Sequence, residues 1–129
     1  MRVEVYWNFH RKCYSVRALE GPDKGRVVQH RRDLQIAGAK LVVRKAGREK
    51  VLRERRKNVH AFVRGHLVEG ASLSMNGASV GVGYNPYQMD SFTAFSSDPF
   101  VLPVPIREAR LIHLFTSGPE NRSNMRALI

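Results

Sequence analysis

At 129 residues and 14.7 kDa the chain has the length of one ordinary domain, too short for a multi-domain enzyme, an eight-fold β/α barrel or a full dinucleotide-binding fold. Apolar residues make up 43% and charged residues 26%, a globular rather than a disordered composition, and no run of 18 apolar residues suggests a transmembrane helix. The formal net charge is +11, and the lone cysteine, Cys13, excludes an internal disulfide framework and a multi-thiolate zinc site, so the expectation is a soluble protein of a reducing compartment with an anionic partner.

Met1 to Trp7 alternates Val3, Val5 and Trp7 against Arg2, Glu4 and Tyr6, the pattern of a half-buried strand and not of a signal peptide. Asn8 to Lys12 is polar and turn-like. Cys13 to Arg17 reads as a second strand with Tyr14 and Val16 inward, and the two strands suit a hairpin. Gly21-Pro22-Asp23-Lys24-Gly25 is a turn, because proline presets φ and the glycines permit positive φ. Arg26 to Ile36 is expected to be extended and basic. Gly38 is expected to separate it from the short apolar strand Leu41-Val42-Val43.

The next segment, Arg44 to Lys57, holds eight basic residues against Glu49 and Glu54. It is rich in helix formers, and Glu49 and Arg53 stand at the favourable i,i+4 spacing, so a short basic helix is predicted near 48–57. With only Val51 and Leu52 apolar, such a helix lies on the surface. Asn58 to Val68 then alternates cleanly. Val59, Ala61, Val63, Gly65 and Leu67 suit a core, while His60, Phe62, Arg64, His66 and Val68 fall on the other face. The second set interleaves cations and imidazoles with an aromatic ring. That is either a surface for phosphates and a stacking base or a mixed outer face with one packed Phe.

Residues 70–77 form a small, polar loop. Val80, Val82 and Tyr84 alternate with Gly81 and Gly83 as a strand that ends at Asn85-Pro86-Tyr87. A short strand is placed at Ser91 to Phe95. The prolines between Asp98 and Pro105 require a loop or a sheet edge. Arg107 to Phe115 is a last strand, stopped by Ser117-Gly118-Pro119. The fold expected is therefore a β-rich α+β class, an antiparallel sheet or small barrel of about seven strands with one short basic helix. It divides into a basic domain over 1–116 and a polar C-terminal tail over 117–129.

The charge is concentrated in one half of the chain. Residues 1–66 contain 18 Lys/Arg and 6 Asp/Glu, net +12, whereas residues 67–129 contain 4 and 5, net −1. A cationic half attracts phosphates by steering and counterion release. The first candidate interface is accordingly Arg44, Lys45, Arg48, Lys50, Arg53, Arg55, Arg56 and Lys57, with His60, Phe62, Arg64 and His66. No base-reading motif is present, so binding to DNA or RNA would rest on backbone phosphates without strong sequence preference. The alternative to any partner is a solvated face that keeps the protein soluble.

Chemistry beyond binding finds little footing. Gly77-Ala78-Ser79-Val80-Gly81 matches the G-x-S-x-G nucleophile elbow, which requires a strand before it and a helix after it, and here a strand follows. A metal-independent ribonuclease would need a His acid/base and a cation for the phosphorane, types that His60, Arg64 and His66 supply on one face. His60 and His66 lie six residues apart, roughly 20 Å along an extended strand, so they cannot share one metal. No catalytic residue, metal or cofactor is expected. Cys13 is flanked by Arg11 and Lys12 but has no catalytic partner, and is expected to be a small packed residue.

Lys57-Asn58-Val59-His60-Ala61-Phe62-Val63-Arg64-Gly65 and Tyr84-Asn85-Pro86-Tyr87 resemble segments of short, functionally unassigned proteins of tailed bacteriophages, as do Val5-Tyr6-Trp7-Asn8 and Gly25-Arg26-Val27-Val28. The resemblance spans about residues 3–95 and brings no catalytic residues with it. It implies a protein of the bacterial host cytoplasm that binds nucleic acid, inhibits host machinery or counters host defence. A second candidate follows from it, an anti-defence protein that sequesters a nucleotide messenger in a pocket of Tyr84, Asn85, Tyr87, Arg64 and Arg107, or that inhibits an acidic host protein. No membrane partner is expected, and the oligomeric state is open.

Overall fold

The computed structural model describes residues 1–75 and 78–129. Its strands are β1 (Arg2–Asn8), β2 (Cys13–Ala18), β3 (Val27–Arg31), β4 (Asp33–Val43), β5 (Ala61–Leu67), β6 (Val80–Gly83), β7 (Thr93–Phe95), β8 (Val104–Pro105), β9 (Glu108–Ser117) and β10 (Arg122–Leu128), with one helix, α1 (Lys45–Glu54). All ten strands form one antiparallel sheet in the order β3-β2-β1-β5-β4-β9-β10-β6-β7-β8. The β-rich α+β expectation stands, with more strands than the seven or so expected.

The differences have local causes. The tail expected over 117–129 turns at Gly118 and returns as β10, which pairs with β9 from Arg122↔Ser117 to Leu128↔Leu111. Its period-2 signal is short and mostly polar, but Ala127 is fully buried and Met125 packs against the core. Gly38 does not break a strand. It adopts φ +57 at a register shift between Ala37 and Lys40, a bulge that lets Leu34 and Ile36 before it and Ala39 and Leu41 after it all join the core. The chain breaks instead at Arg32, between β3 and β4.

The helix begins and ends three residues earlier than expected. Arg44 caps it in an extended conformation, and Arg55 closes it with a left-handed turn in which its N–H donates to the Val51 carbonyl. Only Val51 of the helix is buried, as the thin apolar stripe requires. The Glu49–Arg53 pair is not among the ion pairs of the described residues.

The sheet buries one face by rolling on itself. Tyr14 in β2, second in sheet order, places its hydroxyl against Ser123 Oγ (2.6 Å) and the backbone of Asn124 in β10, seventh in order. The hydroxyl donates to the Asn124 carbonyl (3.0 Å) and accepts from the Asn124 N–H (3.1 Å). The roll is diagonal. β5 starts opposite the end of β4 (Val43↔Ala61) and β9 ends opposite the start of β4 (Asp33↔Phe115), yet Ala61 and Leu114 line one cavity. Strand twist gives a large antiparallel sheet this coiled shape. Val3, Val5, Val16, Ile36 and Ile112 fill the middle of the roll with no more than 1% exposure each.

Candidate functional site

The outer face of β1, β2 and β5 carries a cluster built by strand register. Glu4 stands opposite Arg17 in β2 and opposite Arg64 in β5. Its side chain is 3% exposed, and Arg64 Nε donates to Oε2 at 2.7 Å while Arg17 Nη1 donates to Oε1 at 3.1 Å. Arg44, just before α1, reaches Oε1 at 3.5 Å. One carboxylate therefore holds three guanidiniums, a local excess of two positive charges on fixed, partly exposed side chains.

Aromatic rings shape the same face. Arg44 lies over the Phe62 ring at 4.3 Å, Arg17 lies over Tyr6 at 5.5 Å, and Tyr6 meets Phe62 edge-on. Phe62 is 2% exposed, so it is the floor under Arg44 and not an open stacking platform. From Arg44 the positive charge continues into α1 and beyond. Lys45, Lys50, Arg53, Arg55, Arg56 and Lys57 are exposed and make no ion pair among the described residues. Arg48 departs from the expected set. Its Nε donates to the Pro86 and Met89 carbonyls at 3.0 and 2.9 Å, tying α1 to the segment after β6.

The histidines do not assemble as the ribonuclease reading needs. His60 is 5% exposed and turned inward, away from the outer surface that Arg64 shares with Glu4. A carbonyl only accepts, so Nδ1 carries the proton donated to Asn58 O at 2.7 Å, while Nε2 pairs with the Tyr84 hydroxyl at 2.7 Å. Burial pushes Tyr84 up to about 12, with Arg48 pulling down and Asp90 adding to the rise, so that hydroxyl stays protonated. His66 is exposed near the other end of β5, opposite Arg2 and Ala37. His30 meets Ser15, and His113 meets Asp33 at 2.8 Å.

Cys13 is buried. Ser79 Oγ accepts from Arg126 Nε at 2.9 Å and leads directly into β6, not into a helix. Gly77, the first position of the elbow pattern, lies outside the described residues. No three His, Cys, Asp or Glu side chains gather to hold a metal among those residues.

The inside of the roll contains a cavity of about 480 Å³, open to solvent, with Val5, Val63 and Leu114 among its deep apolar walls. The segment joining α1 to β5 forms one side, through Lys57, Asn58, Val59 and His60. Tyr84, Asn85 and Tyr87 face it from the other, so three residues of the second candidate pocket do meet. Arg64 and Arg107 do not line it. Arg64 is bound to Glu4 on the outer face, and Arg107 is exposed beside β4, where its carbonyl accepts from Leu41 N–H.

The residues that sequence reasoning missed are Glu4 and Arg17 outside, and Trp7, Asn58 and Phe92 inside. Glu4 and Arg17 were findable from the hairpin, since a four-residue connection after Asn8 sets them opposite each other. The cavity walls come from strands far apart in order and carry no local signal.

A rolled antiparallel sheet with a basic outer face, a short basic helix and an aromatic-walled interior cavity defines a small β-rich α+β architecture. The family is specific: residues 1–120 match the model of the Mycobacterium phage L5 gene 82 protein family, and the chain belongs to that family. It is 45% identical to the gene 82 protein of Mycobacterium phage L5 over 108 residues, 78% of this chain and 84% of that protein. The bacteriophage resemblance carried by Lys57–Gly65 and Tyr84–Tyr87 is thereby established. No solved structure matches the chain. No helix among the described residues is long and apolar enough to cross a membrane.

Proposed function

We propose that the protein binds nucleic acid through its phosphate backbone, without strong sequence preference, in the cytoplasm of the phage's host. The observation that carries this reading is the set of Arg17, Arg44 and Arg64 fixed around the single buried carboxylate of Glu4. Guanidiniums already ordered by a carboxylate lose less side-chain entropy when they meet a phosphate, and each retains donors for it. The exposed cations of residues 45–57 extend the same charge along the surface, in keeping with the net +12 of residues 1–66.

Backbone contacts of this kind release counterions, so the affinity falls steeply with salt. Fluorescence anisotropy of labelled duplex DNA, single-stranded DNA and RNA across about 50 to 300 mM salt tests the reading. Micromolar or tighter binding with a steep log–log slope supports it. Absence of binding to all three at the lowest salt refutes it and turns attention to an acidic host protein.

A further inference from the structure

We propose that the interior cavity receives one unstacked nucleobase, with the attached phosphate held at the mouth by Lys57 and the neighbouring Arg55 and Arg56. This rests on the nucleic-acid reading above and names the part of the ligand that the outer face does not engage. The volume of about 480 Å³ falls within the range of roughly 300–1,000 Å³ typical of small-ligand pockets. Its chemistry selects among ligands. Trp7 and Tyr84 give half-exposed aromatic walls, and buried Phe92 backs Tyr84, its ring centroid 5.4 Å away and tilted. Stacking on such rings tolerates any base.

The cavity edge carries the carboxamides of Asn58 and Asn85. Asn85 Oδ1 accepts from the Tyr87 N–H at 3.0 Å, which leaves its amide nitrogen without a partner among the described residues; the Asn58 side chain has none there either. A purely aliphatic ligand would leave these amides desolvated and unpaired, whereas a heteroaromatic ring offers both donors and acceptors along its edge. Lys57 lies over Phe9 at 5.6 Å on the rim, and residues 55 and 56 precede it in a surface segment, so the anionic end of a nucleotide meets cations where it emerges. A base joined to a polymer and a free nucleotide present the same chemistry to this site.

Trp7 is the only tryptophan of the chain and lines the cavity, so its emission reports occupancy directly. The probes are a mixed-sequence single strand of about 12 nucleotides, an abasic strand of the same length, and the four common nucleoside monophosphates, within the site sizes of single-strand binders. Anisotropy follows strand binding while Trp7 emission follows the cavity. The expected result is a change in Trp7 emission with the intact strand and none with the abasic strand, which binds roughly ten-fold more weakly. Ala61→Leu, which narrows the cavity by three carbons, reduces that difference, and Asn85→Ala, which adds no bulk, reduces it where the larger side chain disturbs folding.

An equal change with the monophosphates alone assigns the site to free nucleotides. Equal affinity of intact and abasic strands, with Trp7 unmoved by every probe, overturns the cavity proposal and leaves the backbone reading standing. A Trp7 response to monophosphates without strand binding overturns the backbone reading and leaves the cavity.

Discussion

Glu4, its side chain only 3% exposed, accepts a hydrogen bond from Arg64 Nε at 2.7 Å across the β1–β5 register. The same carboxylate holds Arg17 and Arg44. Removing its charge leaves three guanidiniums facing one another without a counterion. Replacing one partner of a fully buried pair costs about 3–5 kcal/mol. Here the arginines are between 32% and 52% exposed and water screens them. Glu4→Gln is therefore expected to lower stability by about 1–3 kcal/mol, read from urea unfolding, with the loss shrinking as salt is raised. A variant as stable as the parent at low salt contradicts the claim that Glu4 organises this face.

Gly47 sits inside α1, where a helix-propensity argument favours alanine by about 1 kcal/mol. The structure reverses the sign. A Cβ at Gly47 would run into the Cβ of His60, which is held by Asn58 and Tyr84. Gly47→Ala is expected to cost about 1–3 kcal/mol as an overpacked contact. Gly81 in β6 has open space at the corresponding position, so Gly81→Ala is expected to be neutral or mildly stabilising in the same thermal melts. A rise in melting temperature for Gly47→Ala would show that α1 does not pack on His60.

Alkaline pH probes the closure of the roll. Burial pushes Tyr14 up to about 12, against the downward pull of its Ser123 and Asn124 hydrogen bonds, while the unfolded tyrosine titrates near 10. A raised folded value means that the contribution to stability is complete below pH 10 and is lost as pH climbs from about 10 through about 12. Tyr84 shifts in the same direction and adds to that decline. Tyr14→Phe leaves the Asn124 N–H without the hydroxyl oxygen and is expected to cost about 1–3 kcal/mol at neutral pH, with a shallower loss above pH 10. Unfolding midpoints measured for both proteins at neutral pH and across pH 9 to 12 check both statements.

How legible this was in the sequence varied with the range of the interaction. β1, β2 and the alternation of β5 are local period-2 patterns, and a Pro-Asp turn marks the hairpin that follows them. Helix α1 was visible as a basic run with a thin apolar stripe, but its end was not, because it depends on Arg55 adopting φ 55 rather than on a Gly or Pro. β10 was hidden because Asn124 and Arg126 dominate a stretch in which only Met125 and Ala127 face the core. At the site, alternation put His60 with Phe62 and Arg64, but His60 lies just before β5, its carbonyl accepting from the Arg44 N–H, and its imidazole is held inward by Asn58 and Tyr84. Glu4 looked like one acid among many bases. Only pairing between β1, β2 and β5 makes it the centre of an arginine cluster.

We expect the nucleic-acid contact to be made by Arg17, Arg44 and Arg64 around Glu4 together with the basic run from Lys45 to Lys57. The salt dependence of DNA affinity in two triple variants of equal charge separates that contact from the effect of net charge alone. One removes Arg53, Arg55 and Arg56 from the basic run; the other removes Lys24, Arg26 and Arg110, which lie outside that run and outside the arginine cluster. The first variant is expected to bind more weakly and to flatten the log–log salt slope by about one unit for each phosphate no longer neutralised, while the second keeps nearly the parent slope. Equal weakening in both variants would mean that net charge alone attracts the polyanion, and that the placement of cations along α1 and the segment after it has no part in it.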